Sequence, residues 1–253
     1  FSYMFYKASD FNQDIGNWNV SNGTNFKRMF ALSAFNQDIG SWDVNKGTDF
    51  SEMFTNATDF NQDIGSWDVS SGEDFHSMFS LATNFDQDIG DWDVSKGTNF
   101  AYMFYEADSF YQDLSSWTIN ENASLNSMFA DADSMQSNQG VGDTPSIYYF
   151  NPYVFTDKNT LQTAIDTWCR YGSLTTKKIY GDISKWDVSQ ITDFSELFKD
   201  KSGFNSDISN WDVSNGTDFS GMFYNAQEFN QDISSWDVSN GTDFYYMLAL
   251  AEE

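Results

Sequence analysis

A chain of 253 residues accommodates one elongated domain or two compact ones, and with 19% aromatic residues it carries more core than a disordered acidic chain would. Thirty-eight acidic residues against twelve basic ones give a formal charge of -26, which argues against nucleic acid and anionic membranes as partners and favours cations or basic ones. No stretch approaches the roughly 20 consecutive apolar residues of a membrane span, so none is expected in this segment.

The chain opens on Phe1 with neither an initiator Met nor a signal peptide, which reads as a removed leader or a piece of something longer. From there it repeats. Segments of about 25 residues begin at Phe1, Phe26, Phe50, Phe75, Phe100 and Leu125, and again at Phe194, Phe219 and Phe244. The pattern Ile-x-x-Trp-Asp-Val, or a close variant, recurs at Trp18, Trp42, Trp67, Trp92, Trp117, Trp186, Trp211 and Trp236. A fixed period in this range is the mark of stacked repeats.

Within one copy, Phe50, Met53, Phe54 and Ala57 fall at i, i+3, i+4 and i+7, which predicts the apolar face of a short helix. Thr48 and Asp49 are its N-cap candidates, with Glu52 placed for a capping box. Ile64 to Val69 is rich in β-branched and aromatic residues and predicts a short strand, followed by a turn at Ser70 to Gly72. Neither element is stable alone, so stacking is required. The fold class expected is α/β: a right-handed, leucine-rich-repeat-like solenoid with one short helix and one short strand per repeat and a parallel sheet on one face. The aromatic and Met columns form its core.

Composition changes at 138–180, where Pro145, Pro152 and Cys169 all lie. Residues 1–137 read as a first array and 138–152 as a linker. Residues 153–253 read as a second array, opened by a capping helix at about 158–170 on the spacing of Leu161, Ile165 and Trp168. As the only cysteine, Cys169 forms no internal disulfide and reads as a small apolar core residue of that helix.

The copies Phe60-Asn-Gln-Asp-Ile-Gly-Ser-Trp-Asp-Val-Ser and Phe229-Asn-Gln-Asp-Ile-Ser-Ser-Trp-Asp-Val-Ser resemble the BspA-like leucine-rich-repeat surface proteins, also described as the DUF285 repeat family. The entry Leu161-Gln-Thr-Ala-Ile-Asp-Thr-Trp, followed by Tyr180-Gly-Asp-Ile-Ser-Lys-Trp-Asp-Val-Ser, looks like the usual start of such an array. The resemblance covers nearly the whole chain. It implies secreted or surface-anchored proteins, often linked to adhesion, and no catalytic residues. Where family copies read Ser-x-Val-Thr-x-Met, this chain mostly reads Ser-Asn-Gly-Thr-Asp-Phe, and only Gln190-Ile191-Thr192-Asp193 keeps the apolar form.

Three features carry possible chemistry. Asn-Gly-Thr at Asn22, Asn215 and Asn240, with Asn19, Asn56 and Asn122, are N-glycan acceptors if a eukaryote secretes the chain; otherwise Asn-Gly simply suits a tight turn. Asp14, Asp38, Asp63, Asp88, Asp113, Asp182, Asp207 and Asp232 form one acidic column, and Asp43, Asp68, Asp93, Asp187, Asp212 and Asp237 a second. Like charges one rung apart repel, and two remedies are open: a calcium ladder on the first column, or hydrogen bonds from backbone N–H groups or side chains, which Asn12, Gln13 and their copies could supply. His76 is the only histidine and reads as a lone surface residue. Every carboxylate pair is copied along the stack, which argues against one distinct catalytic environment.

The function expected is a non-catalytic extracellular module for interaction or adhesion at the cell surface. Its partner would be a surface or matrix protein or a glycan. The alternative is the protomer of a glycosylated extracellular fibre, paired with copies of itself. A polysaccharide-active enzyme on the same scaffold is a remote third.

Overall fold

Each 25-residue segment folds as a succession of β-turns. The computed structural model describes residues 1–251, in two units, Phe1–Asn151 and the segment from Pro152 onward. Among the described residues there are three short helices, α1 (Asp133–Gln139), α2 (Lys158–Tyr171) and α3 (Ser173–Tyr180), and no β-strand. Neighbouring rungs share only isolated parallel bridges, such as Asn25 with Asp49 and Asp49 with Asp74. The expected α/β solenoid, with a helix and a strand per repeat and a parallel sheet, is therefore not what forms.

Hydrogen bonding gives the reason. Met53, Thr55 and Ala57 donate three residues back, to Phe50, Glu52 and Phe54, closing tight turns in place of the helical i→i−4 pattern. The amides between them leave the rung: Phe50 donates to Asp74, Glu52 to His76, Phe54 to Met78 and Asn56 to Ser80, at 2.7–2.9 Å. Glu52 and Asn56 sit at φ of 57° and 55°, and equivalent positive-φ residues recur along both units, among them Arg28, Ser77, Tyr102 and Asn225. Positive φ at the third residue is what a type II turn requires, and it alternates the direction of successive amides. Asp49, the expected N-cap, instead accepts from Ser51 N and Oγ, while Glu52 reaches back a rung to Arg28 and Lys27.

The strand half meets the same fate. Trp67 N–H closes a turn onto Ile64, and Gly72 N–H closes another onto Val69. Between them, Asp63 and Asp68 accept the amides of Gly65 and Ser70. Too few amides remain free to build a ladder of strand length.

Inside each unit the apolar side chains stack in columns. Phe26, Phe50, Phe75 and Phe100 stack 5.3–5.6 Å apart with their rings nearly parallel. Phe30, Phe54, Phe79 and Phe104 repeat at 5.6–5.7 Å. Within a rung, Phe54 lies 3.9 Å from Phe60, and all these rings are fully buried. The indoles of Trp42, Trp67, Trp92, Trp117, Trp211 and Trp236 each donate to an Ile carbonyl of the preceding rung, as Trp67 does to Ile39 at 3.0 Å. Gly72 is required beneath this packing, because a Cβ there would run into the Phe75 ring.

Residues 138–151, read from composition as a linker, pack onto the first unit. Val141, Tyr149 and Phe150 are buried, and Phe150 stacks on Trp117 at 6.3 Å. The Asn151 amide accepts from Ile119 N and donates to Ile119 O, standing in for the peptide a further rung would offer. In the second unit α2 buries Leu161, Ala164, Ile165 and Trp168 against the first rungs, and its N-cap Asp157 accepts from Thr160 N at 2.9 Å. Cys169 follows Trp168 and is exposed, contrary to the expected burial, because the Trp side chain occupies the core-facing position.

The positive-φ turns make a prediction at Ser77, which sits at φ 52°. Ser77→Gly is expected to hold or raise stability, and Ser77→Val to lose about 1–2 kcal/mol. Urea unfolding checks this; were the segment helical, glycine itself would cost about 0.5–1 kcal/mol.

Candidate binding face

The Phe-Asn-Gln-Asp motif divides its work among its residues. Phe60 is core. The side-chain oxygen of Asn36 accepts from Asn61 N in the next rung, at 3.0 Å, and from Gln62 Nε2 at 2.8 Å. The same pair of bonds recurs from Asn12, Asn61, Asp86 and Asn205. The Asn oxygen therefore binds the next rung and the Gln amide the one before, and neither is spent on the adjacent aspartates.

The acidic columns are held locally. Asp14, Asp38, Asp63 and Asp88 each accept from the glycine amide two residues on, and Asp113, Asp207 and Asp232 from a serine amide, at 2.8–3.0 Å. The second column repeats the device: Asp68, Asp93, Asp212 and Asp237 accept from Ser70, Ser95, Ser214 and Ser239. Hydrogen bonds from the Ser70 hydroxyl and amide pull Asp68 below the usual carboxylate range, and they outweigh the opposing repulsion from Asp93. Among the described residues no three His, Cys, Asp or Glu side chains gather as a metal would need; Asp14, Asp38, Asp63, Asp88, Asp113, Asp207 and Asp232, the positions at which a calcium ladder is one of the two remedies, stand as single carboxylates in a row.

Asp182, in the same column, differs. Burial works against its charge, but hydrogen bonds from Lys177 and Ser184 prevail and its pKa is lowered. Lys177 Nζ lies 2.6 Å from its carboxylate.

Five of the six sequon asparagines, Asn19, Asn22, Asn122, Asn215 and Asn240, are exposed, and Asn56 is half-buried at its positive-φ turn. The amide nitrogens of Asn215 and Asn240 donate to Ser189 O and Ser214 O of the rung before, so attaching a glycan would give up one exposed hydrogen bond at each. His76 is half-buried, edge-on to Tyr102 at 6.0 Å. Cys169 lines an open 740 Å³ cavity with Asp166, Arg170 and Lys201, and desolvation pushes its thiol up to about 11, far from a nucleophile's range.

The face that sequence reasoning missed is the outer edge of the turns. The positive-φ residues form two columns there. One is Tyr3, Arg28, Glu52, Ser77, Tyr102 and Ser127 in the first unit, with Glu196, Gly221 and Tyr246 in the second; the other runs from Lys7 through Leu32, Asn56, Leu81 and Glu106. Tyr6, Thr55 and Tyr105 are half-buried beside the first. Arg28 lies over the Tyr3 and Tyr6 rings at 5.6 and 5.9 Å and pairs with Glu52. Inward columns repeat one residue type; these outward ones change at almost every rung. The signal lay in the positions that vary within an otherwise strict period.

The family model described as "Mycoplasma protein of unknown function, DUF285" matches residues 1–80, 33–142 and 171–253. No curated protein and no solved structure matches the chain.

A carboxylate held below its unfolded value near 3.9 contributes stability above that pH, and the contribution fades as pH falls through the lower folded value. Asp182→Asn is therefore expected to cost about 1–2 kcal/mol at neutral pH, and progressively less below about pH 4. Thermal unfolding of both proteins from acid to neutral pH checks the convergence.

Proposed function

The chain belongs to the DUF285 family, and we propose that it is a non-catalytic interaction or adhesion module of the cell exterior. The observation that carries this reading is the contrast between faces. Core columns repeat Phe, Met, Ile and Trp rung after rung, while the exposed turn column runs Tyr3, Arg28, Glu52, Ser77, Tyr102. Variation gathered on the crests of the turns, in this column and in its neighbour Lys7, Leu32, Asn56, Leu81 and Glu106, suits a recognition surface on a repeat scaffold. Tyrosine and arginine, prominent in it, are the residues that most often anchor protein interfaces.

Copied carboxylates, each engaged with its own turn, support the absence of catalysis. No distinct environment singles one out as acid or base. The likeness to BspA-like surface proteins in the Phe-Asn-Gln-Asp-Ile-Gly-Ser-Trp-Asp-Val-Ser copies supports the extracellular location. No helix is long and apolar enough to cross a membrane among the described residues. A fibre protomer draws on the same stack, and the exposed Asn215 and Asn240 sequons favour it as a second reading.

Beads coated with the purified chain test the first reading on cell layers and matrix-coated surfaces. Retention is expected, with a several-fold loss for the variant Tyr3→Ala, Arg28→Ala, Tyr102→Ala. No retention above a coated control, or full retention by a folded variant, would contradict it. Filaments with an axial repeat in electron micrographs of native material would favour the fibre instead.

A further inference from the structure

Gly221 interrupts the outward column of the second unit. Its neighbours along the column are Glu196, one rung before, and Tyr246, one rung after, and it shares their positive φ at 60°. With no side chain at this position, a gap opens between those two residues. The gap is an open slot of 310 Å³, lined by Tyr224, Tyr245, Tyr246, Glu196 and Lys199.

The wall groups are arranged for one kind of guest. Tyr224 and Tyr246 lie 6.0 Å apart and Tyr245 and Tyr246 4.1 Å apart, offering ring faces and phenol hydroxyls together. In the same lining, Lys199 Nζ donates to Glu196 Oε1 at 2.6 Å, and both side chains are well exposed. That pair supplies donors and acceptors with no net charge. Tyr246 does not owe its exposure only to its place in the last rung: Tyr102, in the same column with rungs on both sides, is 43% exposed.

Aromatic faces pack against the C–H face of a pyranose, while a carboxylate and an ammonium satisfy its hydroxyls. A balanced ion pair in a chain of charge -26 gives a polyanion no attraction. A volume near the low end of ligand pockets, about 300 Å³, suits one or two sugar rings. We propose that this slot binds a neutral hexose unit of a glycan. The proposal rests on the interaction-module reading and names a ligand for one part of its face.

Asparagine tolerates the backbone that Gly221 adopts, as Asn225 shows at φ 58° and Asn56 at 55°. Gly221→Asn therefore fills the slot without breaking the turn, and Tyr246→Ala removes a wall. Titration with cellotriose, mannotriose and a β-galactotriose, followed by tyrosine fluorescence and by calorimetry, reads the outcome. The expected result is saturable binding of at least one trisaccharide by the parent chain, weakened tenfold or more in both variants and unchanged in Tyr111→Ala, an exposed tyrosine away from the turn crests. No binding of any of the three, or equal binding by a folded Gly221→Asn chain, overturns the proposal. Retention on cells without trisaccharide binding defeats the slot and leaves the interaction reading standing. Trisaccharide binding without retention on cells does the reverse.

Discussion

Everything in this fold depends on amides that leave their own rung. Phe50, Glu52, Phe54 and Asn56 donate to the next copy along, and the same set recurs at Phe26, Arg28, Phe30 and Leu32. Two residues per rung must hold positive φ to aim them, at a cost on the order of 1 kcal/mol each when they are not glycine. Each hydrogen bond returns a comparable amount. The surplus comes from the rings that the same turns bring into register, since Phe50 and Phe54 are wholly buried and stacked above and below. A lone rung has neither partner, so stability belongs to the stack.

The caps follow from that dependence. A ladder that runs in one direction leaves unsatisfied groups at each end, and buried polar groups need partners. In the first unit Asp143 O accepts from Phe129 N, Thr144 Oγ1 from Ser127 N, and the Tyr149 hydroxyl from Leu114 N. In the second, Asp187 donates to Tyr153 O and accepts from Phe155 N, while α2 covers the exposed core.

The period, the core columns and α2 are legible in the sequence because burial and helical spacing are written in residue type. The turns are not, because turn corners imitate a helix. Phe50 with Met53 and Phe54 with Ala57 are the first and last residues of successive four-residue turns, and their inward positions fall at i, i+3, i+4 and i+7. What separates the two structures is the sign of φ at Glu52 and Asn56, and glutamate gives no hint of it. The strand failed for a related reason: Asp63 and Asp68 take amides that a strand would need. The acidic columns are visible as columns, yet their chemistry turns on a bond to the residue two places on. The outward face escaped notice because a search for repetition passes over the positions that differ. Repetition within and variation without are two results of one geometry, in which each turn buries its corners and exposes its crest.

Amide hydrogen exchange at Phe50 and Glu52 bears most directly on this ladder. In a stack of turns both are bonded to the next rung, at Asp74 and His76, and are expected to exchange only as slowly as the core around them. In a helix beginning at Phe50 both would lie among the first four amides, which have no partner within the helix. Strong protection at both positions is the predicted result, and fast exchange at Phe50 and Glu52 while Ala57 stays protected would contradict it.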